Sequence, residues 1–249
     1  MLAGGAAPPA TVGDVLARLR ALEDGLPRSD GVAQFARLYR EVTEGVQGEI
    51  ASATFSNPRC LARLDVVFAG LFFAALEAHE RDRATAPRAW AALFEARARK
   101  RIAPLQFALA GMNAHINRDL PLALVDVFSE LRLELRDDCP EHADFLRVNL
   151  LLAKVEERVK DELTTGWVRA LARILHRHAR LDDLLAMWNV ARARDAAWTN
   201  AEALWALRPV PDVAAEFLAT LDRTVGFAGR GLLIPSDPWL DSLARRLRR

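Results

Sequence analysis

The stretch Gly111-Met112-Asn113-Ala114-His115-Ile116-Asn117-Arg118-Asp119-Leu120-Pro121 gathers the residue types that can move a proton. His115 and Asp119 stand four positions apart, a spacing that makes two side chains neighbours on one helix surface. A carboxylate there can fix the tautomer of the imidazole and leave the other ring nitrogen as a general base. Alternatively both can ligate one divalent metal. With about 100° of turn per residue, Leu105, Met112, Ile116, Leu120 and Ala123 share an apolar arc. His115 and Asp119 fall inside that arc. Asn113 and Asn117 lie on its edge as hydrogen-bonding groups for a substrate, while Arg118 and Ala114 point elsewhere. Pro121 lacks the N–H that a continuous helix would offer the Asn117 carbonyl. It either bends the segment and opens a cavity beside the cluster, or ends one helix and begins another.

Other helices place charge on apolar faces, which is costly unless the charge is paired. Asp65 sits among Leu61, Phe68, Phe72 and Leu76, and Glu49 among Phe35, Leu38, Val42 and Val46. Asp144 and Asn149 flank Phe145, Val148 and Leu152, and Arg194 shares a face with Met187, Trp198 and Trp205. Arg194, planar and always charged, is the expected partner of a buried acid or an anchor for an anionic substrate. Asp144 and Asn149 are expected to complete the wall. Tyr39, the single Tyr, points inward and needs a partner for its hydroxyl. Glu49 and Asp65 would be the further ligands if His115 and Asp119 hold a metal in a bundle. His79 ranks lower, because fourteen residues of helix put it roughly 21 Å from Asp65.

Apolar residues recur at three- and four-residue spacing almost throughout, with no alternating run, so the expected fold is all-α with about nine or ten helices. Helices are expected from Val12 to Leu26, Val32 to Ser52, Pro58 to about Arg83 and Pro87 to Arg99. A long one opens at Pro104 and another runs from Pro140 to Leu163. Further helices follow over Thr165 to Ala179, Leu181 to Leu207 and Pro211 to Val225. Gly226, Gly229 and Gly231 are expected to form a loop before a last short helix at Asp237-Pro238. Residues 1–11 are expected to be a flexible arm and 12–249 a single helical domain.

The segment from Gly111 to Leu124, ending Asp119-Leu120-Pro121-Leu122-Ala123-Leu124, resembles the signature of an all-helical domain family of unknown function. Asp144-Phe145-Leu146-Arg147-Val148-Asn149, Tyr39-x-x-Val42-Thr43 and Arg194-Asp195-Ala196-Ala197-Trp198 extend the similarity over about Ala33 to Leu233. The resemblance implies one helical domain and carries no activity, cofactor or catalytic residue with it. His115-x-x-x-Asp119 is also similar to a ligand pair of helical zinc-dependent phospholipases and nucleases, which supply several further His. This chain has five His, and its one other such pair, His178-x-x-x-Asp182, falls at a helix junction, so no trinuclear zinc site is expected.

Composition bounds the rest. The chain has 249 residues, 51% of them hydrophobic, which is enough for a sizeable core. Lys+Arg 34 against Asp+Glu 33 leaves a net charge of +1, and no global field toward nucleic acid or membrane. The N-terminus lacks the basic start and apolar run of a signal peptide. Cys60 and Cys139 stand far apart, as reduced thiols of a cytoplasmic protein would. Either could serve as a nucleophile, but each stands beside a helix-starting Pro and His142 is the one His near them. His142 and His176-x-His178 form no ligand set, and Trp198 and Trp205 are expected in the core. No nucleophile elbow, P-loop, dinucleotide fingerprint or C-x-x-C pair occurs. Two readings remain at this level. One is a small-molecule enzyme of hydrolase or lyase type, with or without a metal. The other is a non-catalytic helical binding or scaffold protein whose polar core is structural.

Overall fold

The computed structural model describes residues 7–50, 55–150, 152 and 189–235, and among them every regular element is helical. Helices α1 (Val12–Gly25), α2 (Gly31–Ile50), α3 (Pro58–Arg81) and α4 (Arg88–Ala96) lead to a central rod. The rod is α5 (Pro104–Ala114), one π-helical turn (His115–Asp119) and α6 (Leu120–Glu130). Residues 140–150 are helical (α7), and α8 (Val190–Leu207) and α9 (Pro211–Leu232) complete the set.

Local chemistry sets the boundaries. Thr11 and Asp14 form a reciprocal capping box at the start of α1, which satisfies N–H groups that lack helical partners. The Asp30 carboxylate receives the Val32 N–H at 2.8 Å and the Arg97 guanidinium at 2.9 Å, so the start of α2 is tied to the end of α4. Asn57 caps α3 and Pro58 occupies its first turn, as the sequence indicates. The Arg88 and Ala89 N–H groups at the start of α4 both donate to Asp222 of α9.

The rod is the core element. Residues 106–116 are buried without interruption, as expected of a helix packed on every side rather than one with a single apolar stripe. One contiguous apolar cluster surrounds it, from Val15 and Leu19 of α1 to Val225 of α9. Gly111 lets α2 approach the rod, because a Cβ there would collide with the ring of Phe35.

Several expected boundaries differ. Gly226, Gly229 and Gly231 are not a loop but lie inside α9. A Cβ on Gly226 would stand 2.5 Å from the Arg88 carbonyl oxygen, so this glycine marks close contact with α4. The helix expected from Leu181 begins at Val190, because Asn189 is an extended N-cap whose side chain accepts the Arg192 N–H. The α4 helix is shorter than expected and stops at Ala96. Pro121 neither ends the rod nor kinks it alone. It follows a wide turn in which the Leu120 N–H reaches back to the His115 carbonyl, so the proline ring enters as the second residue of α6. The expected helix at Thr165 to Ala179, the last helix at Asp237, and His176 and His178 lie outside the described residues.

Candidate functional site

The wide turn places both ends of the His/Asp pair inside the protein: His115 is 1% exposed and Asp119 0%. His115 Nδ1 lies 3.2 Å from Asp119 Oδ2. A carboxylate only accepts, so Nδ1 carries the proton and donates it to Asp119. The same Oδ2 accepts the Trp90 indole N–H at 2.8 Å, and Oδ1 accepts from Arg118 at 2.6 Å. Arg118 in turn lies 3.5 Å from Asp222, the cap of α4. Both Asp119 oxygens are therefore engaged, and Oδ2 fixes the imidazole.

Aromatic rings enclose the imidazole. Phe68 of α3 stacks on it at 3.4 Å between centroids with planes 5° apart, and Tyr39 meets it edge-on at 4.6 Å. Phe35 closes a further side at 5.7 Å. Burial in this cage pushes the His115 imidazole below its ordinary range, against the opposing pull of Asp119. It stays neutral near neutral pH. The second ring nitrogen, Nε2, is buried and has no hydrogen-bond partner.

His115 lines a cavity of about 70 Å³ between α2, α3, the rod, α7 and α8, several times the space one water needs. Val42, Leu61, Leu64, Phe68, Met112, Ile116, Leu120, Val148, Leu152 and Val190 make its walls apolar. Its polar groups are Tyr39, Thr43, Asp65, His115 and Arg194. Burial raises the Asp65 carboxyl to about 6, with Arg194 pulling the other way. Burial likewise lowers the Arg194 guanidinium to about 10, opposed by Asp65 and Asp195. Arg194 lies over the Phe145 ring at 4.1 Å and donates its Nε–H to Asn149 Oδ1 at 2.5 Å. Asn149 is held from behind by donating to Asp195 at 3.0 Å. The Tyr39 phenol is pushed well above its usual range by burial and by the charges of Asp65 and Asp119, so it remains an O–H donor.

The structure thus brings Tyr39, Asp65, His115 and Arg194 to one cavity, with Asp119 and Asn149 directly behind His115 and Arg194. It sends other expected members elsewhere. Asn113 donates to the Val225 carbonyl at 3.0 Å and accepts from Asn117, tying the rod to α9 instead of lining a substrate wall. Asp144 accepts the Ser56 and Asn57 N–H groups at 3.0 and 2.7 Å, so it anchors the entry to α3. Glu49 falls outside the described side chains. Asp119 and His115 bond each other and do not face a common metal. Among the described residues no three His, Cys, Asp or Glu side chains stand close enough to hold one. His79 is buried against Phe94, and His142 stacks on Trp198 and bonds the Asp137 carbonyl, both remote from the cavity. Cys60 and Cys139 are free and buried, and burial pushes the Cys60 thiol up to about 12.

Three partners were not legible in the sequence. Trp90 gave one usable signal: a Trp on an apolar helix needs an acceptor for its N–H. Arg118, expected to point away, folds back because the wide turn changes the phase of the residues that follow it. Thr43 joins the cavity wall, its hydroxyl donating to the Tyr39 carbonyl.

The architecture defines an all-helical protein with a buried His/Asp pair beside a mostly apolar cavity. Over residues 12–235 the chain matches the model of a family of unknown function, DUF5995, and it belongs to that family. Neither the curated proteins nor the solved structures yield a match. Among the described residues no helix is long and apolar enough to cross a membrane.

Proposed function

We infer that the chain is a small-molecule enzyme of hydrolase or lyase type in which His115 Nε2 is the general base. The observation that carries this is the unpartnered Nε2 of a neutral, Asp-oriented imidazole on the wall of a cavity. A buried acceptor left without a donor costs free energy, and a substrate or water O–H would satisfy it. Asp119 holds the tautomer and would stabilise the imidazolium formed when Nε2 takes a proton. Asp65, partly protonated near pH 6, is suited to return a proton to a leaving group. Arg194 would hold the substrate's negative end.

The second reading is a structural polar core. It is favoured by Asn113, Asn117 and Asp144, which bond only to the protein itself. The two readings diverge in one experiment. Diethyl pyrocarbonate, which reacts with neutral imidazole, is applied to the protein and to His115→Gln, and turnover is followed as proton release over small esters and lactones and as alkene absorbance over hydroxy acids. The enzyme reading expects modification of His115 and a turnover that His115→Gln abolishes with its circular dichroism unchanged. An inert His115 and a variant altered only in melting temperature would leave the structural reading.

A further inference from the structure

Resting on that reading of the cavity, the next question is what the cavity holds. Arg194 is 7% exposed, and only its Nε has a hydrogen-bond partner, Asn149. Its two terminal nitrogens donate to nothing among the described residues. They are not sealed in either, since Arg194 lines the cavity and no nitrogen of its guanidinium is both buried and unpaired. A guanidinium fixed at its neck by Asn149 and flat on Phe145 presents a ready two-pronged donor, the geometry that matches a two-oxygen anion. Asp65, also on the cavity wall, bears on the charge balance. Arg194 is the one cation among the cavity's described residues, and the acid already offsets part of its charge. With Asp65 protonated, Arg194 keeps one unit of charge, which a monoanion balances and a dianion exceeds inside apolar walls.

We propose that the cavity binds a small monocarboxylate with a branched apolar body and a hydroxyl. The carboxylate is held by the Arg194 terminal nitrogens, the body lies against Leu61, Leu64, Met112 and Ile116, and a small shift of the ring uncovers the buried His115 Nε2 to accept from the hydroxyl. The other candidate anion, phosphate, shares the two-oxygen head but lacks an apolar body and carries the second charge. Tyr39, a donor at the same wall, gives the carboxylate a neutral second contact.

Calorimetry with isovalerate, isovaleramide, 2-hydroxyisovalerate and inorganic phosphate, on the full chain, tests the assignment. Replacing carboxylate by amide removes a charge-assisted contact, so isovalerate is expected to bind about tenfold or more tighter than isovaleramide. Inorganic phosphate is expected to be weaker than isovalerate. Arg194→Met should erase the preference for isovalerate over isovaleramide, and Arg194→Lys should retain part of it. Equal binding of isovalerate and isovaleramide, no binding by either, or phosphate binding as tightly as isovalerate overturns the proposal. The wild-type comparison stands even if the Arg194 variants fail to fold. The nitrogen-15 resonance of His115 Nε2 separates this proposal from the base reading. It should move with 2-hydroxyisovalerate and stay with isovalerate. If neither acid binds while His115→Gln still abolishes ester turnover, the ligand class is wrong and the base stands.

Discussion

Phe68 lies flat on His115, their centroids 3.4 Å apart and their planes 5° from parallel. A ring in that position removes one whole face of the imidazole from water, and this desolvation is what keeps the base uncharged. Phe68→Leu opens that face. The His115 titration midpoint, followed by NMR, is expected to rise toward the ordinary value of 6.5. The sign for stability follows. A His whose folded midpoint lies below its unfolded one costs stability as pH falls through the unfolded value. The native protein should therefore weaken below about pH 6.5, and less so in His115→Gln. Urea midpoints across pH measure both. An unchanged midpoint in Phe68→Leu would remove the stack as the cause.

Asp65 has the opposite sign. Its folded carboxyl is raised to about 6 from 3.8, so the native state binds more protons than the unfolded state between those values. Stability from this group therefore grows as pH falls from neutral toward about 4, and Asp65→Asn should flatten that slope. The Asn variant should also be more stable than the parent at pH 7.5, by on the order of 1–3 kcal/mol. Melting curves of parent and variant at matched pH decide. A parental slope that survives in Asp65→Asn would place the proton elsewhere.

Trp90→Phe keeps the ring and removes the N–H that holds Asp119 Oδ2. Leaving a buried carboxylate oxygen short of a donor should cost about 1–3 kcal/mol. Turnover should fall as well, since Asp119 then holds the imidazole less firmly. Denaturant unfolding and the activity assay read the two effects separately. A purely packing role for Trp90 would change the first and spare the second.

Much of this was readable from residue spacing. The helical class followed from periodicity, and the capping residues Asn57 and Pro58 gave the start of α3. Asp65, His115 and Arg194 were recognisable as charges on apolar faces, and they do meet at one cavity. The face argument did not place Asn113 because residues 106–116 are buried all round, so an inward reading there does not say toward which neighbour, and the half-buried Asn117 bonds back to Asn113. Asp144 is also inward, but it serves the N–H groups before α3, a contact across 88 residues that no local pattern encodes. The glycines of α9 read as a loop because glycine in sequence signals both turns and close helix approach, and only the facing Arg88 backbone decides between them.

Gly226→Ala tests that contact. The new methyl would meet the Arg88 carbonyl, a backbone atom with little freedom to retreat. Separation of α9 from α4 should cost about 1–3 kcal/mol, read from the melting temperature. It should also loosen the Asp222 contacts to the start of α4, seen as faster amide exchange at Arg88 and Ala89. A neutral Gly226→Ala would mean that the two helices have slack between them.

The wide turn at His115–Asp119 uses one more residue than an ordinary turn would, so α6 is out of phase with α5. The rod resembles two keys cut on one shank, each set for its own lock. Shortening this turn by a single amino acid would swing Leu120, Leu124, Val127 and Phe128 together around the shank, off the seats they fill among α3, α7 and α8. This chain's tolerance for length change should therefore be lowest where it is most deeply enclosed.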